Sequence, residues 1–249
     1  EGLNKEDANL QVELNVEKMK FQNNEFDNIT INGSFENQRL ALSTDINRDL
    51  IDVDIKGLLD VKGDAPDFDV VMDVRNIDLY KLNILDLDEK MLLTTNANIK
   101  LRGNKLDEMY GVVRLDDTYY HDSRGSYFMD SLNVTLTENH FDSKDIHIVC
   151  DFFDADVNGI FNFKNIGNTF KNYVRKHFHI NKWGDKGLKL SDEEQDFYVN
   201  MKFKDTETLS QLLMPKLKVS NNTNFTATFT SANYQLYSTL ESEMIVYNK

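Results

Sequence analysis

The sequence predicts an all-β fold: an elongated, curved antiparallel sheet, open as a groove (a β-taco), with two short amphipathic helices. Three observations predict it. Apolar and polar residues alternate along most of the chain, which is typical of strands with one apolar and one hydrated face. Only two prolines are present, and Asn and Asp supply the turns. Two segments change to the four-residue spacing of amphipathic helices.

Roughly fifteen alternating runs follow one another at intervals of about 10–15 residues, and this spacing is typical of all-β proteins. In each run the apolar residues occupy every second position, so one face of each predicted strand is apolar. The twelve clearest runs are Leu10 to Val16, Ile29 to Phe35, Leu40 and Leu42, Val53 and Ile55, Phe68 to Val74, Ala97 to Leu101, Val113 and Leu115, Leu132 to Leu136, Ile146 to Phe152, Val157 to Phe163, Phe197 to Phe203, and Phe225 to Phe229.

Turn-forming residues separate the runs, as in Asn23-Asn24 and Gly103-Asn104. Several strands also contain glycine shortly before a large apolar residue, as in Gly33-Ser34-Phe35 and Gly159-Ile160-Phe161. A glycine inside a strand indicates a bulge or a bend that curves the sheet. No linker-like break interrupts the pattern, so residues 1–249 are expected to form one continuous piece of a longer protein.

Helices are predicted near residues 165–179 and 205–214. The second begins with Asp205 as N-cap residue and ends at Pro215. In the first, apolar residues recur every four positions and form one stripe, which is expected to cap one end of the sheet. The residues of that stripe are Ile166, Phe170, Val174 and Phe178.

The net charge of the chain is strongly negative. The 28 basic and 42 acidic residues give −14 at pH 7. A surface this acidic repels phosphate backbones, so no nucleic-acid partner is expected, and the same charge argues against a polybasic membrane-surface module. Cys150 is the only cysteine, so an internal disulfide and a Cys-rich zinc site are excluded.

The chain contains no Gly-rich phosphate loop, no nucleophile elbow and no zinc-protease motif. Cys150 lies on an alternating strand and is expected to be a small buried hydrophobe. His177 and His179 are expected at a solvated helix end, and the acidic cluster Asp151 to Asp156 on a solvated face. The chain is therefore expected to be no enzyme and to use no metal or cofactor. Ser131 matches the acceptor pattern of bacterial O-glycosylation in Asp130-Ser131-Leu132.

The chain is rich in large apolar residues, including 16 Phe and 10 Tyr, and the apolar strand faces that they form must pack against something. In a sandwich they pack against a second sheet, whereas in a single curved sheet they line a groove that holds acyl chains. The alternation of apolar and polar residues is the same in both cases. The low proline content and the irregular spacing of the repeated strand pattern favour the groove. The residues expected to line it are Phe35, Leu42, Phe68, Val70, Ile99, Leu101, Val134, Ile148, Phe161, Phe203 and Phe229.

The order of features in the second half of the chain resembles a known family. The run from Asp154-Ala155 to Gly159-Ile160-Phe161 precedes an amphipathic helix that ends in Tyr173 to Phe178. A short Leu-rich helix then leads into Leu213-Met214-Pro215-Lys216-Leu217. Over roughly residues 25–249 these features resemble the middle of the TamB proteins of Bacteroidetes. These are translocation and assembly module relatives within the AsmA-like superfamily.

The resemblance implies a periplasmic segment of an inner-membrane-anchored protein with a long, taco-shaped sheet. Its relatives are expected to conduct phospholipids towards the outer membrane, with the acyl chains as the bound part. They are also expected to support outer-membrane protein assembly with a TamA-type outer-membrane partner, which docks on a C-terminal part outside this chain. Two alternatives stay open: a structural scaffold that pairs strand edges, and a closed β-sandwich binding module.

Overall fold

The computed structural model describes residues 8–21, 24–48, 51–80, 82, 91–123, 125–138, 143–163, 195–213, 217–231 and 235–247. Within these residues the regular structure is almost entirely strand, which confirms the all-β prediction. The stripe predicted as a helix near 165–179 lies outside the described residues, and so do His177 and His179.

Fifteen strands, one α-helix and one short 3₁₀ turn, Leu106–Glu108, make up the described elements. The helix α1, Thr206–Leu213, lies where the second helix was predicted. The strands are β1 Asn9–Phe21, β2 Asn24–Glu36, β3 Arg39–Arg48, β4 Ile51–Asp60, β5 Asp67–Asp78, β6 Leu92–Arg102, β7 Tyr110–Asp122, β8 Gly125–Glu138, β9 Lys144–Cys150, β10 Phe153–Ile160, β11 Asp196–Phe203, β12 Leu217–Val219, β13 Asn224–Thr230, β14 Gln235–Glu241 and β15 Ile245–Tyr247.

Thirteen of these strands form one sheet in which spatial order follows chain order, from β1 to β11 and then β13 and β14. All the described pairings are antiparallel, as expected where each strand folds back on the one before it. In the described part of the chain β1 and β14 are the edges, so this sheet does not close on itself. The strands β12 and β15 form a separate two-stranded sheet.

The chain divides into two compact units. Unit 1 comprises Glu1–Asn104, Tyr110–Val134 and Val149–Asp151, and unit 2 comprises Lys105–Met109, Thr135–Ile148 and Phe152–Lys249. Unit 1 contains the ladder from β1 to β7, and unit 2 contains the ladder from β10 through β11 and β13 to β14.

The turns follow the expected residue chemistry. Asn37 and Gln38 connect β2 to β3 with φ angles of 51° and 59°. Two consecutive left-handed residues are the geometry that matches the twist of a tight hairpin. Asn222, which precedes β13, also has a left-handed φ of 61°. Asn therefore supplies turns in place of the missing prolines.

The core of unit 1 lies at one end of its strands. Phe26, Ile29 and Leu82 form a buried cluster there, and Val16 and Ile46 are among the half-buried residues that pack against it. Leu82 follows β5 and is only 2% exposed. Side chains thus cover this end of the apolar face. The rest of the same face is the part of unit 1 that could bind a partner.

Candidate functional site

The candidate site is the apolar face of the seven strands β1 to β7. The strand registers align the apolar residues of neighbouring strands into three rows that cross the sheet. The outer row is Leu10, Phe35, Leu40, Leu59, Phe68, Leu101 and Gly111. The middle row is Val12, Gly33, Leu42, Gly57, Val70, Ile99 and Val113. The inner row is Leu14, Ile31, Thr44, Ile55, Met72, Ala97 and Leu115.

These three rows are called the trough from here on. They contain no charged side chain, and Thr44 carries their one hydroxyl group. At about 4.8 Å between neighbouring strands, the seven strands span about 29 Å from β1 to β7. The trough is therefore a continuous apolar strip that crosses the whole ladder of unit 1.

Solvent reaches the trough. Leu42 lies on the interior strand β3 and is still 45% exposed. On the edge strand β1, Leu10, Val12 and Leu14 are 43%, 46% and 52% exposed. The main backbone contacts of β1 to β7 with other described elements are those with their neighbours in the ladder. A shallow cavity of about 250 Å³, lined almost wholly by apolar atoms of β1, β2 and β3, opens on this face.

At the closed end of the strands the same face is shielded. Ile29, Val53 and Val74 are 4%, 2% and 3% exposed, next to the buried cluster around Leu82. The apolar face of unit 1 is therefore graded along the strand direction. It is packed at one end and partly exposed in the trough, most of all on β1 and at Leu42, while Ala97 of the inner row is buried.

The charged residues between the trough rows lie on the opposite face, where ion pairs join neighbouring strands. Arg75 of β5 lies 2.7 Å from Asp52, 2.9 Å from Asp73 and 3.3 Å from Asp45. The hydrogen bond with Asp52 is the main cause that raises the pKa of Arg75, and desolvation opposes it. Lys100 of β6 pairs with a carboxylate of β5 in the same way. The ion pairs thus lie on the face opposite the trough, which also carries the exposed apolar side chains of Leu58, Val71 and Val112.

Unit 2 repeats the alternation but closes part of its apolar face with aromatic rings. The Phe197 ring stacks on Phe229 with centroids 5.3 Å apart, and Phe161 meets Phe197 edge-on at 5.9 Å. Phe161 and Phe229 are each only 3% exposed. These rings form a packed aromatic cluster, which is a core and not an open surface.

A lysine lies beside this cluster. The ammonium of Lys144 lies 5.2 Å from the Phe161 ring centroid and 5.1 Å from that of Phe163, and it donates to the Phe161 carbonyl oxygen. Asp107 lies 3.3 Å from the ammonium and also accepts the Phe163 N–H at 2.6 Å. Lys144 is therefore satisfied by an ion pair and cation–π contacts, and it acts as an internal clamp of unit 2.

The structure brings together six of the eleven residues predicted to line a groove. Three of them lie in the outer row and three in the middle row of the trough, so one strip contains them all. The outer-row residues are Phe35, Phe68 and Leu101. The middle-row residues are Leu42, Val70 and Ile99.

The other five lie outside the trough. Val134 on β8 and Ile148 on β9 are half-buried, as is Phe203, which pairs with Phe153 across β10 and β11. Phe161 and Phe229 belong to the aromatic cluster of unit 2. A charge at Phe161 would therefore test the core of unit 2, and Leu42 is the better position for testing an open face.

Fifteen of the 21 trough residues were not on the predicted list. Among them are Leu10, Val12 and Leu14 of β1 and the glycines Gly33 and Gly57. Alternation alone contained the signal for the β1 residues, because they share the parity of a strongly alternating run. Gly33 lies in a predicted alternating run, whereas no sequence prediction included Gly57, and only the strand register shows that both glycines lie in one row.

Other candidate chemistry is sparse in the described residues. Cys150 is a buried thiol on β9, and Ser131 is half-buried within β8, where glycosylation stays a prediction. No group of three or more His, Cys, Asp or Glu residues is arranged to hold a metal ion in the described ranges. None of the described helices is long and apolar enough to cross a membrane.

Comparison of the chain with protein-family models, with curated proteins and with solved structures found no match. The candidate site therefore depends on the geometry of the sheet and on the exposure of its apolar face.

Proposed function

We propose that this chain is a segment of a periplasm-spanning, bridge-like protein that conducts phospholipids towards the outer membrane and supports outer-membrane protein assembly. The acyl chains lie in the trough of unit 1, on a sheet that curves as a taco-shaped groove. The role is that of a non-catalytic conduit, part of an inner-membrane-anchored protein. A TamA-type outer-membrane protein is its proposed assembly partner.

One observation carries the proposal: exposed apolar side chains lie next to one another in rows without a charged residue. They are Leu10, Val12 and Leu14 on β1 and Leu42 on the interior strand β3. Soluble proteins rarely expose a contiguous apolar strip, and such strips mark sites of interaction. Acyl chains match the strip because they carry no polar group that would need a partner there.

The expected binding energy of an acyl chain is small enough for the chain to move along the trough. Each methylene group removed from water contributes about 0.8 kcal/mol, so about eight methylenes on the open face contribute roughly 6 kcal/mol before ordering costs. Binding of that strength is reversible. Because one row of similar apolar side chains follows another, a chain that leaves one strand meets an equivalent surface on the next.

Site-specific photo-crosslinking in a bacterial envelope tests the proposal. A benzophenone amino acid at Leu42 is expected to form an adduct with phospholipid, whereas the same amino acid at Ser43, on the opposite face, is expected to form none. Val70→Asp should reduce the adduct at position 42, because a hydrated carboxylate then interrupts the middle row. Equal phospholipid adducts at positions 42 and 43 would remove the support for an acyl-binding trough.

A second candidate function, a scaffold that guides other strands, is favoured by the edge strand β1. It is 13 residues long, and among the described strands it has a neighbour on one side alone. A long unpaired edge is a template for strand addition. Hydrogen exchange tests this: an added amphipathic strand peptide should protect amides of β1, and unchanged exchange would contradict edge pairing.

A further inference from the structure

The polar face of the unit 2 sheet carries a row of four exposed residues. The strand registers align them across four strands, and they are Asn158 of β10, Tyr198 of β11, Thr228 of β13 and Tyr237 of β14. Along β11 and β13 this row alternates with residues of the packed aromatic cluster, so it lies on the opposite face of the sheet. It is called the tyrosine row from here on.

Two aromatic side chains of this row are open to solvent. Tyr198 is 41% exposed and Tyr237 is 67% exposed, and the shorter side chain of Thr228 lies between them. Because the two tyrosines lie two strands apart, their Cα atoms are separated by about 10 Å. A single exposed aromatic side chain needs no partner, but two in one row form a surface on which a ligand with two apolar faces can rest.

Hydrogen-bonding groups border the two tyrosines. The next row on the same face offers a carboxylate, an amide and two hydroxyl groups, which belong to Asp156, Asn200, Thr226 and Thr239. Asn158 Nδ2 donates to Asp145 Oδ1 of β9 at 2.7 Å. His147 Nδ1 of β9 lies 2.6 Å from Asp156 Oδ1. These contacts hold the donors and acceptors at the β10 end of the face.

The charge of this face selects against anionic ligands. The strands β10, β11, β13 and β14 contain a single basic residue, Lys202, and four carboxylates, which are those of Asp154, Asp156, Asp196 and Glu241. Their excess negative charge repels phosphate groups and acidic sugars. Within the described residues, no three carboxylates converge as they would to bind a metal cation. A neutral ligand with hydroxyl groups can use the carboxylates as acceptors.

We propose that this face binds an extended, neutral, β-1,4-linked saccharide chain, with Tyr198 and Tyr237 each stacking on one sugar ring. A pyranose ring has an apolar face of C–H groups, which packs on an aromatic ring, and a rim of hydroxyl groups, which the row beside the tyrosines can bind. In such a chain every second ring has the same orientation, and the distance between two such rings is close to that between strands two apart. The site is independent of the proposed phospholipid trough, because it lies in unit 2 and on a polar face.

Other ligand classes fit this face less well. An acyl chain would cover the polar groups of Asn200, Thr226 and Thr239 without giving them hydrogen bonds. A peptide strand forms its main-chain hydrogen bonds at the edge of a sheet, whereas β11 and β13 are paired on both sides. A saccharide combines C–H faces with hydroxyl groups and so matches both the tyrosines and the row beside them.

Isothermal titration calorimetry of the full chain tests the inference. The probes are cellohexaose and chitohexaose, which are neutral, extended and β-1,4-linked, and the chain is expected to bind at least one of them. Tyr237→Ala should weaken that binding about tenfold, because it removes one stacking contact, whereas Tyr237→Phe keeps the ring and should bind like the unaltered chain. Tyr247→Ala is the matched control and should leave binding unchanged, because Tyr247 is 65% exposed but lies in β15, outside this sheet.

Three results would contradict the inference. Binding of neither probe would show that the face is no saccharide site. Binding that both Tyr198→Ala and Tyr237→Ala leave unchanged would show that the tyrosine row does not hold the sugar. Equal binding of maltohexaose, whose α-1,4-linked chain is curved, would remove the argument from spacing. Thermal unfolding separates binding from folding: Tyr237 is on an edge strand and exposed, so Tyr237→Ala should unfold close to the Tm of the unaltered chain.

Discussion

At the scale of single residues, the polar face of unit 1 is held by hydrogen bonds between oppositely charged side chains on neighbouring strands. Arg39 of β3 donates from Nε to Asp60 Oδ2 of β4 at 2.7 Å, and the Lys62 N–H donates to Oδ1 at 3.0 Å. The bond from Arg39, followed by that from Lys62, holds the pKa of Asp60 below its ordinary value of 3.8.

The sign of the resulting pH dependence follows from that lowered pKa. A carboxyl group with a lower pKa in the folded state stabilises the fold above its unfolded pKa, and this contribution is lost as pH falls through the folded pKa. Arg39→Gln should therefore raise the titration midpoint of Asp60 towards 3.8, as followed by NMR of its carboxyl carbon. Lys18→Gln, which removes the distant pair with Glu25, is the control. An unchanged midpoint in Arg39→Gln would contradict the conclusion that Arg39 lowers the pKa of Asp60.

The strand glycines Gly111 and Gly57 differ in whether the backbone around them tolerates an added side chain. Gly111 has a φ of +136°, and an added Cβ would collide with the Lys100 carbonyl of the paired strand β6. Gly111→Ala is expected to lower the free energy of unfolding by about 1–3 kcal/mol, whereas Gly57→Ala should not lower it. Urea unfolding of the two variants measures the difference. Equal stabilities would show that the strain argument at Gly111 is wrong.

At the scale of elements, the helix α1 was predictable from its first residues. Asp205 Oδ1 accepts the backbone N–H groups of Glu207 at 3.0 Å and Thr208 at 3.3 Å, and Oδ2 accepts the Thr208 hydroxyl at 2.7 Å. These bonds satisfy N–H groups that have no partner within the helix. The predicted N-cap residue is confirmed because its chemistry is local.

Removal of this cap should destabilise unit 2. Asp205→Ala is expected to cost about 1 kcal/mol, whereas Asp205→Asn, which keeps an acceptor oxygen, should cost less. Chemical denaturation of both variants against the unaltered chain provides the measurement. If alanine and asparagine had the same effect, the side-chain acceptor would not be what stabilises the start of α1.

Strands could be predicted where apolar and polar residues alternate over enough consecutive positions to show the period. The run Leu10 to Val16 predicted the centre of β1, and the short C-terminal β15 also falls in a run of apolar residues. β12 was missed, because three residues are too few to show a period. The clamp between Lys144 and Asp107 was also missed, since these residues are 37 positions apart and no local pattern joins them.

At the scale of the whole molecule, alternation could not decide whether the apolar faces are open or covered, because both arrangements give the same sequence pattern. The structure separates the two cases inside one chain. In unit 1 the trough is open at Leu42, and in unit 2 the rings of Phe161 and Phe229 are packed. Six predicted lining residues share the open strip, and two others belong to the packed cluster.

The central claim is that the trough of unit 1 holds phospholipid acyl chains. Native mass spectrometry of the full chain, purified from a bacterial envelope, tests it most directly. The account predicts co-purified phospholipid that is lost in Leu42→Asp and retained in Ser43→Asp, because the two carboxylates lie on opposite faces of β3. A lipid-free chain, or phospholipid retained equally by both variants, would contradict the account.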